Sequence, residues 1–188
     1  MKRSACLLAV LAMTGAAWAD PVKLTPANPQ PSGLTQGLAV SYGFGSGGRN
    51  LAETSKTLSN AKAGKPLMGL SYLEGSDGEE TLTSGTDHKV AAAISGYIKF
   101  DAAGTYNLQF YSNDGLKASI GGQQVVFHDG VHGCDPSEVT QVEVPSAGWY
   151  ALEATYFQRK GGACLMMDWA QGGGELEPVP DEAFAFGG

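Results

Sequence analysis

The chain has 188 residues, with 12 Lys and Arg against 19 Asp and Glu and only 16% charged residues. A formal charge of −7 argues against a surface built to hold nucleic-acid phosphates. The first 19 residues read as an export signal: Lys2 and Arg3 supply a positive start, Ala5 to Met13 is apolar but too short to anchor in a bilayer, and Ala17-Trp18-Ala19 offers a cleavage site. A mature chain beginning at Asp20 keeps 169 residues, with 10 basic side chains against 19 acidic ones and a formal charge of −9. That is one domain's worth of chain, able to bury about 70% of its unfolded surface without a metal or a dense disulfide network. No later stretch reaches membrane-spanning length, so the expected product is exported, periplasmic or extracellular, with no membrane span in the mature chain.

From Asp20 through residue 36 the four prolines Pro21, Pro26, Pro29 and Pro31 deny a regular ladder its donors, which predicts an extended lead-in. A first strand is expected over Gly37 to Phe44, ended by Gly45 to Asn50. Leu51 to Lys62 is the one plausible helical stretch, a loop or a single short helix, because its apolar face is thin. From Val90 onward the period is two. Tyr97 to Phe100 leads into an Ala102-Ala103-Gly104 turn, and Tyr106, Leu108 and Phe110 alternate with polar residues. Leu116, Ala118 and Ile120 repeat the pattern, and Gly121-Gly122 suits a tight hairpin before Val125, Val126 and Phe127. Tyr150, Leu152, Ala154 and Tyr156 share the next inner face, followed by a turn at Arg159 to Gly162. Ala163, Leu165, Met167 and Trp169 then share one face, with Cys164, Met166 and Asp168 on the other. The tail from Gly172 is acidic and rich in Gly and Pro.

This grammar predicts an all-β fold, an antiparallel sandwich or barrel in a single domain over residues 37–186. Cleavage leaves two cysteines, and in an oxidising compartment Cys134 and Cys164 are expected to close a structural disulfide.

An ordered set of short motifs runs through the same region: Gly96-Tyr97-Ile98, Gly104-Thr105-Tyr106, Ser112-Asn113-Asp114-Gly115, Ile120-Gly121-Gly122, Ala147-Gly148-Trp149-Tyr150 and Glu153 to Phe157, then Gly162 to Trp169. Together they resemble the protective-antigen (PA-fourteen) domain, the β-barrel module of bacterial toxins, glycosidases and fungal flocculin-type adhesins. The resemblance covers roughly Gly37 to Phe184 and implies an exported module with carbohydrate-binding potential. In the sugar-binding adhesins of that family, adjacent aspartates joined by a cis peptide hold a calcium ion that grips sugar hydroxyls, and Asn113 and Asp114 stand at their position. Asn113 keeps an oxygen ligand there but removes one negative charge, which weakens a site for a hard cation.

The residues themselves leave alternatives open. Asn113-Asp114-Gly115 is a ligand-facing loop or simply a tight turn, since Asn, Asp and Gly are what such a connection favours. The resemblance implies Asp129 as a candidate third calcium ligand, since sites of that family draw residues from neighbouring loops, and Tyr111, beside the Asn113 loop, is the aromatic most suited to stack on a sugar. The run His128 to Asp135 invites a zinc reading, but its spacing matches no zinc pattern, Gly130 and Gly133 argue for a loop, and Cys134 is better used in a disulfide. Glu74 to Glu80 is an acidic loop of the kind that usually marks a solvated surface. No pair of carboxylates is placed as a glycosidase would need, so a glycoside hydrolase is the weakest reading. The favoured expectation is a non-catalytic module that binds a glycan or another cell-envelope component. Calcium is its only candidate cofactor, and the alternative is a structural or protein-interaction scaffold.

Overall fold

A computed structural model describes residues 20–45 and 48–187, so the expected export signal lies outside the described residues. The period-two segments become eight long strands: β1 (Ala39–Phe44), β2 (Val90–Phe100), β3 (Gly104–Asn113), β4 (Leu116–Ile120), β5 (Gln123–His128), β6 (Thr140–Val144), β7 (Gly148–Gln158) and β8 (Cys164–Gln171). They form two sheets. In the first, β3 lies between β6 and β8, with Val22–Lys23 beyond β6 and Glu177–Pro178 beyond β8. In the second, β2, β7, β4 and β5 follow one another, while β1 and Phe184–Phe186 share the free edge of β2. All of these pairings are antiparallel except Val22–Lys23 against Val142 and Glu143 of β6.

Alternation decides which side chains enter the core. Tyr106, Leu108 and Phe110 of β3 and Leu165 and Met167 of β8 face Ile98 and Phe100 of β2 and Tyr150, Leu152 and Tyr156 of β7 across a continuous cluster. Each fully buried Leu or Phe contributes about 1.5 to 3 kcal/mol. Burying a tyrosine adds the need for a hydroxyl partner, and three carbonyls supply one: Tyr106 donates to Ala102 at 3.1 Å, Tyr150 to Ser146 at 2.7 Å, and Tyr156 to Asn113. A register shift between Ala118 and Ser119 turns both Val125 and Val126 of β5 inward, which simple alternation forbids, and leaves Phe127 outside at 59% exposure.

The fold refines the sequence expectation in three places. The first strand begins at Ala39, and the lead-in is not wholly irregular, because Val22–Lys23 and Thr35–Gln36 each add a short rung to a sheet edge. The uncertain stretch is one helix, α1 (Leu51–Leu58), whose cap is Asn50: its side-chain oxygen accepts the Glu53 N–H at 2.8 Å. Strand β6 was not expected. Its Thr-Gln-Val-Glu-Val run places Val142 and Val144 in the core.

Candidate functional site

Strand β3 ends at Asn113, and the peptide joining Asn113 to Asp114 is cis. The turn is ladder-bonded to β7 on both sides: the Asp114 N–H reaches the Phe157 carbonyl at 2.9 Å, and the Phe157 N–H reaches the Gly115 carbonyl at 3.0 Å. Only glycine fits at 115, since a Cβ there would sit 2.4 Å from a ring carbon of buried Phe157.

Both residues expected to carry the site are buried, Asn113 at 8% exposure and Asp114 at 2%. The carboxylate of Asp114 is held on both sides. Its Oδ1 accepts the His132 N–H at 3.0 Å and its Oδ2 accepts the Arg159 N–H at 2.7 Å. Burial pushes the Asp114 carboxyl above its ordinary value, and these two backbone donors pull part of the way back. Asn113 stands in a different condition. Its backbone carbonyl accepts the Tyr156 hydroxyl, but its side-chain oxygen is buried with no hydrogen-bond partner. A buried amide oxygen left alone costs about 1 to 3 kcal/mol, so it calls for a donor or a cation.

The loop that follows β5 is pinned beside this turn. Cys164 is the register partner of Asn113 and forms a disulfide with Cys134, with the two Cα atoms 5.9 Å apart. The expected bridge is therefore present. Asp129 is engaged elsewhere, its Oδ1 accepting the N–H of Leu51 at 2.8 Å and that of Gly130 at 2.8 Å, so it fastens the loop to the start of α1. The rings of His128 and His132 stack at 4.0 Å with planes 19° apart. Burial pushes the His128 imidazole below its ordinary value, the neighbouring His132 adds to the effect, and Asp135 opposes it. Imidazole lone pairs lie in the ring plane, so two near-parallel rings present theirs side by side and do not converge on one ion. Cys134 is taken up by the disulfide, and among the described residues no three His, Cys, Asp or Glu side chains gather around a metal-sized point.

The oxygen set fits calcium in part. Asn113 offers an unpartnered oxygen, and each oxygen of Asp114 keeps a lone pair beyond the N–H it accepts. The remaining ligands would have to be backbone carbonyls and water, which calcium accepts.

Tyr111 is half-buried on the outer face of the first sheet, two residues from Asn113, with its hydroxyl 3.2 Å from the Gln109 side-chain oxygen. Phe127 is an aromatic ring that stands clear of the surface near this end, missed from sequence because the irregular register of β5 leaves no sign in the pattern. Phe127 and His128 line one wall of a groove of about 360 Å³, with Pro136, Ser137 and Glu138 on the other. The acidic loop from Glu74 to Glu80 forms no strand or helix and is mostly exposed.

Known structures share this architecture. The chain is similar to the PA14 domain of the MpAFP antifreeze protein (17% identity, 90% of this chain and 96% of that one, TM-score 0.69). It is also similar to a PA14 sugar-binding domain from an RTX adhesin (18% identity, 81% and 99%, TM-score 0.63). A third similar structure is the Epithelial Adhesin 9 A domain from Candida glabrata, solved with Galβ1-3GlcNAc (12% identity, 88% and 94%, TM-score 0.63). At these identities the likeness establishes the fold. None of the curated proteins matches the chain. The PA14 domain description matches residues 74–183, more than half of the chain and the stretch that holds the Asn113 turn, the pinned loop and seven of the eight long strands, and the chain belongs to the PA14 domain family.

Proposed function

We propose that this PA14 domain is an exported, non-catalytic module that binds glycans at the rim where β3 ends, with calcium assisting through Asn113 and Asp114. The observation that carries the reading is the buried side-chain oxygen of Asn113, which has no partner although it lies next to a carboxylate held in place by two N–H groups. The adhesin domains described as sugar-binding or solved with a disaccharide support it by analogy of fold. When bound, calcium would supply a hard Lewis-acidic center for sugar hydroxyls. The chain's own part is to fix Asn113 and Asp114 at a turn clamped by β7, to brace the facing loop through the disulfide, and to offer the groove beside Phe127 for an apolar sugar face. Asp129 acts one step away by holding that loop to α1.

A glycan array probed with residues 20–188, with calcium and with a chelator, tests the proposal. Calcium-dependent signals that Asn113→Ala removes and Asn113→Asp strengthens support it. A blank array under both conditions favors the second reading, a scaffold of the cell envelope. The specific observation behind that reading is that both Asp114 oxygens already serve the protein's own backbone.

A further inference from the structure

The end of the sandwich away from Asn113 holds a second cavity. Tyr106 and Asn113 are seven residues apart on β3, roughly 23 Å at about 3.3 Å per residue. This cavity, of about 400 Å³, is lined by Tyr106, Trp169, Gln171, Asp101, Glu175 and Glu177. Its floor is the outermost ring of an aromatic stack that closes the core. The Trp169 ring center lies 5.6 Å from that of Phe100 and 6.0 Å from that of Tyr106, and Phe100 in turn packs edge-on to Tyr150 at 5.3 Å.

Register then sets a carboxylate beside the indole. Trp169 and Glu177 are direct partners in the antiparallel pair, so their side chains leave the same face of the sheet. The connecting chain carries Gly172, Gly173 and Gly174, which put no side chain over the indole, and Trp169 stays half-buried instead of covered. Among the described residues no Lys or Arg lines the cavity. Asp101 is neutralised by Lys99 at 2.8 Å, whereas among the described residues no ion pair engages Glu175 or Glu177. An electron-rich ring face beside two uncompensated carboxylates attracts a positive charge twice over, through the ring quadrupole and through Coulomb attraction.

We propose that this cavity is a binding site for a basic side chain, the ammonium or guanidinium group of a Lys- or Arg-bearing segment of a partner polypeptide. The cation sits against the indole face between Glu175 and Glu177, and the amide of Gln171 is placed to accept one of its N–H groups. The site is independent of calcium and lies at the opposite end of β3 from the glycan rim, so the domain can hold a glycan at one end and a basic protein segment at the other.

The test uses Trp149→Phe protein, in which Trp169 is the one tryptophan of residues 20–188. Its fluorescence is followed during titration with acetyl-Gly-Lys-Gly-amide, with acetyl-Gly-Gln-Gly-amide and with N-acetylglucosamine, all in the presence of a chelator. The Lys peptide is expected to give a saturable change with a Kd on the order of millimolar, weakened several-fold when salt is raised from about 0.02 to 0.3 M. Glu175 and Glu177 are both exposed, so the Glu175→Gln, Glu177→Gln double variant keeps its fold, and its affinity for the Lys peptide should fall about tenfold. A flat titration, an equal response to the Gln peptide or to the sugar, or a double variant that binds as well as its parent each overturns the proposal.

Discussion

Asp114 accepts the backbone N–H of His132 at 3.0 Å, and through this bond a strand-end turn grips a loop 18 residues further along the chain. The other oxygen of the same carboxylate takes the N–H of Arg159, where β7 has just ended, so one buried side chain joins three segments. Removing it strands two donors at a site that is almost dry. Asp114→Ala is therefore expected to lower unfolding stability by about 3 kcal/mol, read from urea unfolding at neutral pH. Asp114→Asn keeps one acceptor oxygen and should lose less. Equal stability of the Ala variant and the parent would mean that the two bonds contribute nothing, and would return Asp114 wholly to a ligand role.

The bridge between Cys134 and Cys164 closes a loop with a sequence separation of 30 residues. Chain-entropy reasoning assigns a closure of this size roughly 3 to 4 kcal/mol. Reducing the protein, or replacing both cysteines with Ser, should lower the urea midpoint accordingly while the far-ultraviolet spectrum stays that of a β protein. The loss should concentrate locally. Hydrogen exchange is expected to rise at His132 and Gly133 before it rises in β2 or β7, because the bridge ties that loop to β8 alone. Uniformly faster exchange across both sheets would contradict this.

Asp168 lies on the outer face of the first sheet, opposite Gln109 in register and near Tyr111. Burial raises its carboxyl above the ordinary value. A carboxyl whose folded pKa is raised binds its proton more tightly folded than unfolded. Its contribution to stability is therefore full below the unfolded value of about 3.9 and is lost as pH rises through the folded value. Asp168→Asn cannot ionise. Relative to that variant, the parent should be most stable near pH 3.5 and lose ground as pH rises, leveling off above the raised pKa. Thermal unfolding of both proteins at half-unit pH steps checks this, and a stability difference that stays flat with pH would show that Asp168 is effectively solvated.

What sequence made readable was the material with a period. Tyr106, Leu108 and Phe110 announce their inner face because the residues between them are polar, and Glu153 and Thr155 do the same for Leu152, Ala154 and Tyr156. The cysteine pair was readable because, once the expected export signal is set aside, two thiols remain and one disulfide accounts for both. Elements whose existence depends on a distant partner stayed hidden. Val22–Lys23 is a strand only because Val142 and Glu143 lie beside it, and two residues carry no period at all. Asp129 reads locally as a free carboxylate in a polar loop, but its destination is the N–H of Leu51, 78 residues away in the chain. The helix start is legible in Asn50 and Glu53, which stand at the spacing of a capping box. At the site, local chemistry spoke for a turn before it spoke for a ligand. Only the folded arrangement separates Asp114, whose oxygens both have donors, from Asn113, whose side-chain oxygen has none.

That difference gives a variant in which stability and binding part company. Asn113 spends its backbone carbonyl on Tyr156, and its side-chain oxygen contributes no hydrogen bond to the fold. Replacing a buried polar group that lacks a partner with an apolar one of similar shape is nearly neutral or stabilising. Asn113→Leu should therefore unfold within about 1 kcal/mol of the parent, in either direction, while losing the calcium dependence of any glycan signal. Destabilisation by several kcal/mol would show that the amide oxygen has a structural partner, and the case for a ligand at this turn would lose its central observation. Unchanged stability together with an unchanged glycan signal would move the binding surface away from β3 and toward the groove beside Phe127.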